Sequence, residues 1–220
     1  MNSARKGKAP GRTAEPGDRP VVLEPYAFSS LLMAAIEIHG RESLGFLIGH
    51  KDRQFLEGRM KDCVSVHVAY PVQSADRGRT MVGFGNLAAR KRAEDTIRAV
   101  GFEIIGGFHS HPNGSAKLSR GDMGVIFEEL DTVYSRVGLS SWLEIVVGIQ
   151  RINRPKASLH LKKLFRRDMV PSPGFYPWNV EPEIAGDVLI TPDMAFRIKM
   201  GGYWFENEEA REALLCYSRY

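Results

Sequence analysis

Apolar and polar residues follow two different spacings along this chain, and each spacing predicts one kind of secondary structure. Apolar residues three and four positions apart predict amphipathic helices over residues 27–39, 87–100 and 119–136. Alternation by two and short apolar runs predict strands near residues 44–48, 54–60, 64–72, 104–111, 142–149, 157–161, 188–190 and 195–205. Helices and strands mixed in this order predict an α/β or α+β layered domain.

Other segments have weaker patterns. Glycine and polar residues over 49–52 predict a turn, and the Gly-rich, polar stretch 73–86 predicts a loop. The prolines of residues 171–182 predict irregular structure, because proline cannot donate a hydrogen bond to a strand ladder. The last segment, residues 206–220, is predicted to be a closing helix.

The overall composition is that of an ordinary globular protein, with 220 residues, 43% hydrophobic and 25% charged. No apolar stretch reaches the length of a membrane span, and the first residues lack the apolar core of a signal peptide. We therefore expect a cytoplasmic protein without a membrane partner. Cys63 and Cys216 are too few for a disulfide framework and have no companions at metal-ligand spacing, so we expect free thiols.

The net charge of +4 arises mainly at the beginning of the chain. Residues 1–20 hold five basic and two acidic side chains and almost no large apolar ones, whereas the remainder is nearly neutral. Such a segment buries too little surface to order itself. We expect a disordered basic tail over residues 1–20, followed by a single domain over 21–220, and we do not expect nucleic acid as a partner.

Residues 109–122 contain the candidate chemistry. His109 and His111 follow an apolar run, and in a strand side chains two apart leave the same face. Asp122 comes eleven residues later, at the beginning of a predicted helix. Two imidazoles and one carboxylate are the ligands of an open, catalytic zinc site. Both parts of this candidate site also have a structural explanation. The His-x-His pair can be a half-exposed strand face, and Ser119-x-x-Asp122 can be a helix capping box.

These residues match a longer pattern: His109-x-His111, seven residues, Ser119-x-x-Asp122, and upstream Glu42-x-x-Gly45-x-x-x-Gly49. Over roughly residues 23–150 the chain resembles the JAMM (MPN-plus, JAB) zinc metalloproteases. The resemblance implies a curved mixed β-sheet flanked by helices, of the cytidine-deaminase-like kind. It also implies a catalytic core over residues 23–165 with a C-terminal extension over 166–220.

The resemblance assigns roles to five residues. One catalytic zinc ion would be held by His109, His111 and Asp122. Glu42 would be the general base, and Ser119 would donate a hydrogen bond to the oxyanion. From the residues alone, Glu24 and Glu103 compete with Glu42 for the role of base. Glu103 precedes His109 by six residues of strand, roughly 20 Å, which is too far for proton transfer. The family pattern then favours Glu42.

The implied activity is that of a deubiquitinase-like isopeptidase or peptidase. Its substrate would be a ubiquitin-like or sulfur-carrier-like protein with a glycine-ended tail, either deconjugated or processed from a precursor. Enzymes of a conjugation pathway would be further partners. Met81 or Phe84 in the loop could hold the tail or simply pack into the domain. The alternatives are a non-catalytic MPN scaffold within a complex and a zinc hydrolase of a small molecule.

Overall fold

The computed structural model describes residues 19–56, 58–73, 75–80, 82–131, 139–152, 183–191, 194–206 and 208–217. Three predictions lie outside these ranges: the tail before residue 19, the strand at 157–161 and the irregular segment 171–182. Within the described ranges the helices are α1 (Pro25–Glu37), α2 (Leu87–Ala99) and α3 (Arg120–Glu129). No helix in this part of the chain is both long enough and apolar enough to cross a bilayer.

The strands form one large mixed sheet and one small hairpin. They are β1 (Val21–Leu23), β2 (Leu44–Leu56), β3 (Arg59–Pro71), β4 (Asp76–Arg77), β5 (Val82–Gly83), β6 (Ile104–His111), β7 (Ser141–Ile152), β8 (Glu183–Thr191), β9 (Met194–Glu206), β10 (Glu209–Ala213) and β11 (Leu215–Tyr217). The large sheet has the order β10-β9-β7-β6-β2-β3-β1-β11, and β8 also pairs with β9. Strands β6 and β7 are parallel, as is β1 with both neighbours, whereas the other pairs are antiparallel.

Helices cover both faces of the large sheet. Because successive side chains of a strand point to opposite faces, β2 directs Leu47 into the apolar layer beneath α1. Its neighbours Phe46 and Ile48 enter a second layer, which also contains Ile97 of α2 and Ile126 of α3. The expected class, an α+β domain with a mixed sheet flanked by helices, is confirmed. The described strands after residue 182 belong to the same sheet as those before it.

The predicted turn at residues 49–52 is wrong, because β2 continues through it to Leu56. The pairing of β2 with β3 instead shifts its register between Ile48 and Gly49. A Cβ atom on Gly49 would lie 1.9 Å from the carbonyl oxygen of Ser65. This glycine therefore marks a close approach of two backbones, and the chain reverses at Gly58, where φ is +82°.

The predicted closing helix over residues 206–220 is also wrong. Residues 209–213 form β10 beside β9, and residues 215–217 form β11 beside β1. The segment is rich in the good helix formers Glu, Ala, Arg and Leu, but helix propensity is worth less than a kcal/mol per residue. Pairing along two strands buries Ala213, Leu215 and Cys216, and this burial overrides the local preference.

The strand predicted near residues 54–60 is wrong, because the chain reverses at Gly58 between β2 and β3. The predicted loop over 73–86 contains the short strands β4 and β5. The remaining described elements agree with their predictions to within a few residues. The first helix occupies residues 25–37, two residues earlier than the predicted 27–39, and the second ends one residue before the predicted Val100. Helix α3 begins after Ser119 as predicted and is α-helical to Glu129, whereas the predicted end at Arg136 lies outside the described residues. Strands β8 and β9 contain the two runs predicted near residues 188–190 and 195–205.

Candidate metal centre and its cleft

Strand β6 places the two histidines at the end of a buried strand. Phe108 packs into the layer beneath α1, whereas His109 and His111 leave the opposite face, toward α3. Both histidines are buried. The chain then turns sharply, with Gly114 at a φ of +80°. The strand tip therefore presents two imidazoles to the segment beyond the turn.

The first turn of α3 brings Asp122 to the imidazoles. The Asp122 N–H donates to Ser119 Oγ at 3.1 Å, and the Ser119 N–H donates to Asp122 Oδ2 at 2.6 Å. The helix thus has the complete capping box that the structural explanation predicted. The same Oδ2 atom also faces both histidines. Capping and metal binding are therefore compatible, because the cap fixes the carboxylate that the histidines face.

The three candidate ligand atoms are spaced as a single ion requires. His109 Nε2 lies 3.1 Å from His111 Nε2, and Asp122 Oδ2 lies 3.6 Å and 3.4 Å from these two atoms. Tetrahedral zinc with bonds of about 2.0–2.1 Å separates its ligand atoms by about 3.3 Å. Within the described ranges these residues form the group of three that could hold a metal ion. Nitrogen and carboxylate donors at these distances fit zinc.

The charges at this centre favour a cation between the side chains. Burial opposes the charged imidazole, yet the adjacent carboxylates of Asp122 and Glu144 raise the pKa of His109 to about 10. Burial likewise opposes the charged form of Asp122, but the two imidazoles hold its pKa well below the usual range. Without a metal, a proton on His109 therefore supplies the positive charge that the carboxylates require.

Glu42 lies in the same cleft, just before β2. The backbone of Ser43 is fixed to the strand tip, because its N–H donates to Ser110 Oγ at 2.8 Å and its carbonyl accepts from the Ser110 N–H at 2.8 Å. The Glu42 side chain is only 6% exposed. Burial raises the pKa of this carboxyl, although the charges of His111 and His109 partly offset the effect.

The two competing acids are elsewhere. Glu24 pairs with His67 of β3 at 2.7 Å, and Glu103 is exposed. Neither lines the cleft that contains Glu42, His109 and Asp122. Of the three acids considered from the sequence, the structure brings only Glu42 to the candidate ligands.

The cleft beside the candidate ligands has a volume of about 340 Å³. Ser119 lies at its rim and is exposed. Its walls are mainly apolar and come from β2, from β5 and the residue after it, and from α3 and β7: Leu44, Val82, Phe84, Val125, Ile126 and Trp142. Phe84 stacks on Phe46 and lies 3.8 Å from the guanidinium of Arg90, so it is part of the wall. Met81, the other candidate of this loop, lies outside the described residues.

Glu144 is a residue of the site that the sequence did not predict. It lies on β7, is 5% exposed, and accepts hydrogen bonds at 2.7 Å from His109 Nδ1 and at 2.7 Å from Trp142 Nε1. The available signal was a single acidic residue within the apolar run 142–149. That signal does not reveal the partner, because the register between two strands distant in sequence brings Glu144 beside His109.

Comparison with known proteins bears on the fold alone. No protein-family model matches the chain, and no curated protein matches its sequence. The solution structure of protein DSY2949 from Desulfitobacterium hafniense is similar, with a TM-score of 0.53 and 14% sequence identity. The alignment covers 91% of this chain and 94% of that one. The described chain is thus an α+β domain whose fold is similar to that of this bacterial protein.

Proposed function

We propose that this protein is a zinc-dependent isopeptidase or peptidase of the JAMM/MPN type. It would hydrolyse the amide bond after the C-terminal glycine of a ubiquitin-like protein, in deconjugation or precursor processing. The observation that carries the proposal is the cluster of three ligand atoms, 3.1–3.6 Å apart, in a cleft that also contains the buried carboxyl of Glu42. The mixed sheet between helices is compatible with an MPN domain.

The ligand set supports a catalytic rather than a structural zinc ion. Structural zinc sites have four protein ligands, whereas His109, His111 and Asp122 would leave one position for water or substrate. A zinc ion held there would lower the pKa of a bound water to about 7, which makes hydroxide available at neutral pH.

Glu42 is suited to move the proton. A general base works best when its pKa lies near the working pH, and burial raises the pKa of Glu42 in that direction. In the proposed reaction Glu42 accepts a proton from the attacking water and delivers it to the leaving amine. The Ser43–Ser110 hydrogen bonds hold the neighbouring backbone, so the carboxyl stays in the cleft.

Ser119 is suited to stabilise the negative charge that develops on the carbonyl oxygen. Its Oγ already accepts a hydrogen bond from the Asp122 N–H, and a hydroxyl can accept and donate at once. The remaining O–H would donate to the oxyanion at the rim of the cleft. Removal of such a donor typically costs a factor of about 10²–10³ in rate.

The shape of the cleft favours an extended tail of small residues. Its volume of about 340 Å³ lies near the lower end of the usual range for ligand sites, and Gly45, Gly83 and Gly107 line it. Among the described residues β4 and β5 pair only with each other, so the hairpin keeps an outer edge for another strand. An extended peptide can add to such an edge through backbone hydrogen bonds.

The proposal is tested with a panel of ubiquitin-fold proteins that end in Gly-Gly, each extended by a short C-terminal peptide. We expect one cut after the last glycine, located by intact-mass measurement, that is lost on chelation and restored by zinc. Glu42→Gln should keep stoichiometric zinc and lose activity by a factor of about 10²–10⁴, the usual contribution of a general base. Glu103→Gln, at the exposed competing acid, is the matched control and should cleave normally.

Three results would contradict the proposal. Full activity of Glu42→Gln would remove Glu42 from the mechanism. Purified protein that binds no zinc would favour a non-catalytic scaffold. Stoichiometric zinc without cleavage of any tail in the panel would favour a hydrolase of a small molecule.

A further inference from the structure

A buried carboxylate lies directly behind one of the candidate zinc ligands. Glu144 Oε1 accepts from His109 Nδ1, and Glu144 Oε2 accepts from Trp142 Nε1, both at 2.7 Å. The Nε2 atom of the same imidazole faces His111 and Asp122. His109 therefore bridges Glu144 on one side and the metal centre on the other.

We infer that Glu144 is the positioning residue that makes His109 a zinc ligand. The inference rests on the zinc centre of the proposed function, but not on its substrate or reaction. A carboxylate can only accept hydrogen bonds, so it holds the proton of a neutral imidazole on Nδ1. The lone pair of Nε2 then points to the metal. Such outer partners orient metal-bound histidines and increase their basicity.

The numbers of donors and acceptors match around Glu144. Two N–H groups, one from His109 and one from Trp142, face two carboxylate oxygens, one each. The side chain is 5% exposed, so water has little access to replace a missing partner. Each carboxylate oxygen therefore satisfies one buried N–H group, and an unsatisfied buried donor would cost free energy.

The local sequence provides the space for this carboxylate. Gly107 on β6 lies opposite Glu144 on β7. A Cβ atom on Gly107 would lie 2.8 Å from Trp142 Cζ2 and 3.0 Å from Glu144 Oε2. A side chain at this position would displace the carboxylate or the indole, which explains why a glycine two residues before His109 belongs to the site.

The second histidine has a different outer partner. His111 Nδ1 faces the backbone carbonyl oxygen of Ser115 at 3.2 Å. A side-chain substitution cannot remove that acceptor, whereas the acceptor of His109 can be changed by one substitution. Glu144 is therefore the position at which histidine orientation can be tested without changing a ligand.

Glu144→Gln tests the inference because it preserves size and leaves one acceptor oxygen for two donors. If its NH₂ group faces His109 Nδ1, the imidazole carries its proton on Nε2 and loses the lone pair that binds zinc. We expect a zinc affinity 10–100-fold weaker than that of the wild type, as is usual for outer partners. The readout is competition with a chromophoric zinc chelator, on full-length protein shown to be folded by circular dichroism.

Trp142→Phe separates positioning from packing. It removes the competing N–H donor, so in the double variant Glu144→Gln/Trp142→Phe the amide oxygen is free to accept from His109. We expect the double variant to recover most of the zinc affinity lost in Glu144→Gln, so that Glu144→Gln weakens zinc binding much less in the Trp142→Phe background than in the wild-type background. A purely structural role predicts the opposite order, with the double variant weaker than either single variant.

A measurement on the wild-type protein tests the same inference without any substitution. Nitrogen-15 NMR of the zinc-loaded protein should show His109 protonated at Nδ1 and metal-bound at Nε2. The inference is overturned if the metal lies on Nδ1, if Glu144→Gln binds zinc like the wild type, or if the double variant shows no recovery. A wild type that binds zinc but cleaves no tail would contradict the proposed reaction and leave this inference standing.

Discussion

Helices α1 and α3 lie on opposite faces of the same sheet and are held there in different ways. Five residues of α1 are buried and no side chain caps its N-terminus among the described contacts; the five are Ala27, Phe28, Leu31, Ala34 and Ala35. Helix α3 has no fully buried residue between Arg120 and Glu129 and has a complete capping box. Apolar burial holds α1, whereas hydrogen bonds and partial packing hold α3.

The two faces of β6 show the same contrast. Phe108 points toward α1 into an apolar layer, and His109 and His111 point toward α3 into a group of buried polar side chains. Buried polar groups cost free energy unless they have partners, and each of these histidines has partners on both ring nitrogens. The comparison shows a division: the α1 face supplies apolar burial, and the α3 face carries the candidate site.

A partly buried ion-pair cluster also holds the α3 face together. The Arg90 guanidinium of α2 donates to Glu94 at 2.8 Å and to both oxygens of Glu129 on α3, at 2.9 and 3.1 Å. Bidentate pairs of this kind fix geometry as well as supply energy. Because Arg90 also lies against Phe84, the same side chain links two helices to the wall of the cleft.

The largest effect on stability is expected on the α1 face. Leu31→Ala would remove a fully buried side chain from the apolar layer and should lower the free energy of unfolding by about 2–5 kcal/mol. Zinc stoichiometry and the activity per folded molecule should stay unchanged, since Leu31 does not line the cleft. Urea titration and a zinc assay on the folded fraction measure the two quantities.

Met33→Ala on the same helix is the matched control, because Met33 is 62% exposed. Its free energy of unfolding should change by no more than about 0.5 kcal/mol. If Leu31→Ala lost zinc while still folded, the division between the two faces would be wrong.

On the α3 face, Ser119→Ala should have the opposite effects, a small loss of stability and a large loss of activity. Loss of the cap should cost about 0.5–2 kcal/mol of stability. Loss of the oxyanion donor should lower kcat by a factor of about 10²–10³. Steady-state kinetics normalised to folded, zinc-loaded protein separate the two effects.

Ser119→Thr keeps both the cap and the hydroxyl, so it should restore most of the activity. If Ser119→Ala kept the wild-type kcat per folded molecule, Ser119 would be a helix cap alone, and the oxyanion donor would have to be another group.

The smallest effect is a proton released when zinc binds to metal-free protein. With the pKa of His109 raised to about 10, the imidazole holds a proton at pH 7, and zinc must displace it. Binding should therefore release about one proton from His109 at pH 7 and strengthen as the pH rises toward 10. Calorimetry at one pH in buffers of different ionisation enthalpy counts the protons, and an uptake or no exchange would contradict the raised pKa.

Much of the secondary structure could be predicted from local pattern. Helices α1 and α2 and strands β7 and β9 have a clear period or a long apolar run, and the prediction matches them to within a few residues. The failures occurred where pairing overrides local preference. Residues 209–217 favour a helix locally, but edges of β9 and β1 are available to pair with them.

The residues of the candidate site could likewise be predicted only in part. Sequence spacing predicts that His109, His111 and Asp122 converge, and the distances agree. Spacing could not distinguish Glu42 from Glu24, because the choice depends on which loop lies beside the tip of β6. It could not find Glu144 at all, since the parallel register of β6 and β7 joins residues 35 positions apart.

The sequence by itself determined the types of candidate ligand, their order and the helix start that carries the third one, because strand alternation and capping are set by residues a few positions apart. The tertiary structure decided the rest: which acid enters the cleft, which carboxylate supports His109, and that the last strands form the two ends of the sheet. These depend on contacts between distant segments, whose free energy comes from burial and from satisfying polar groups away from water.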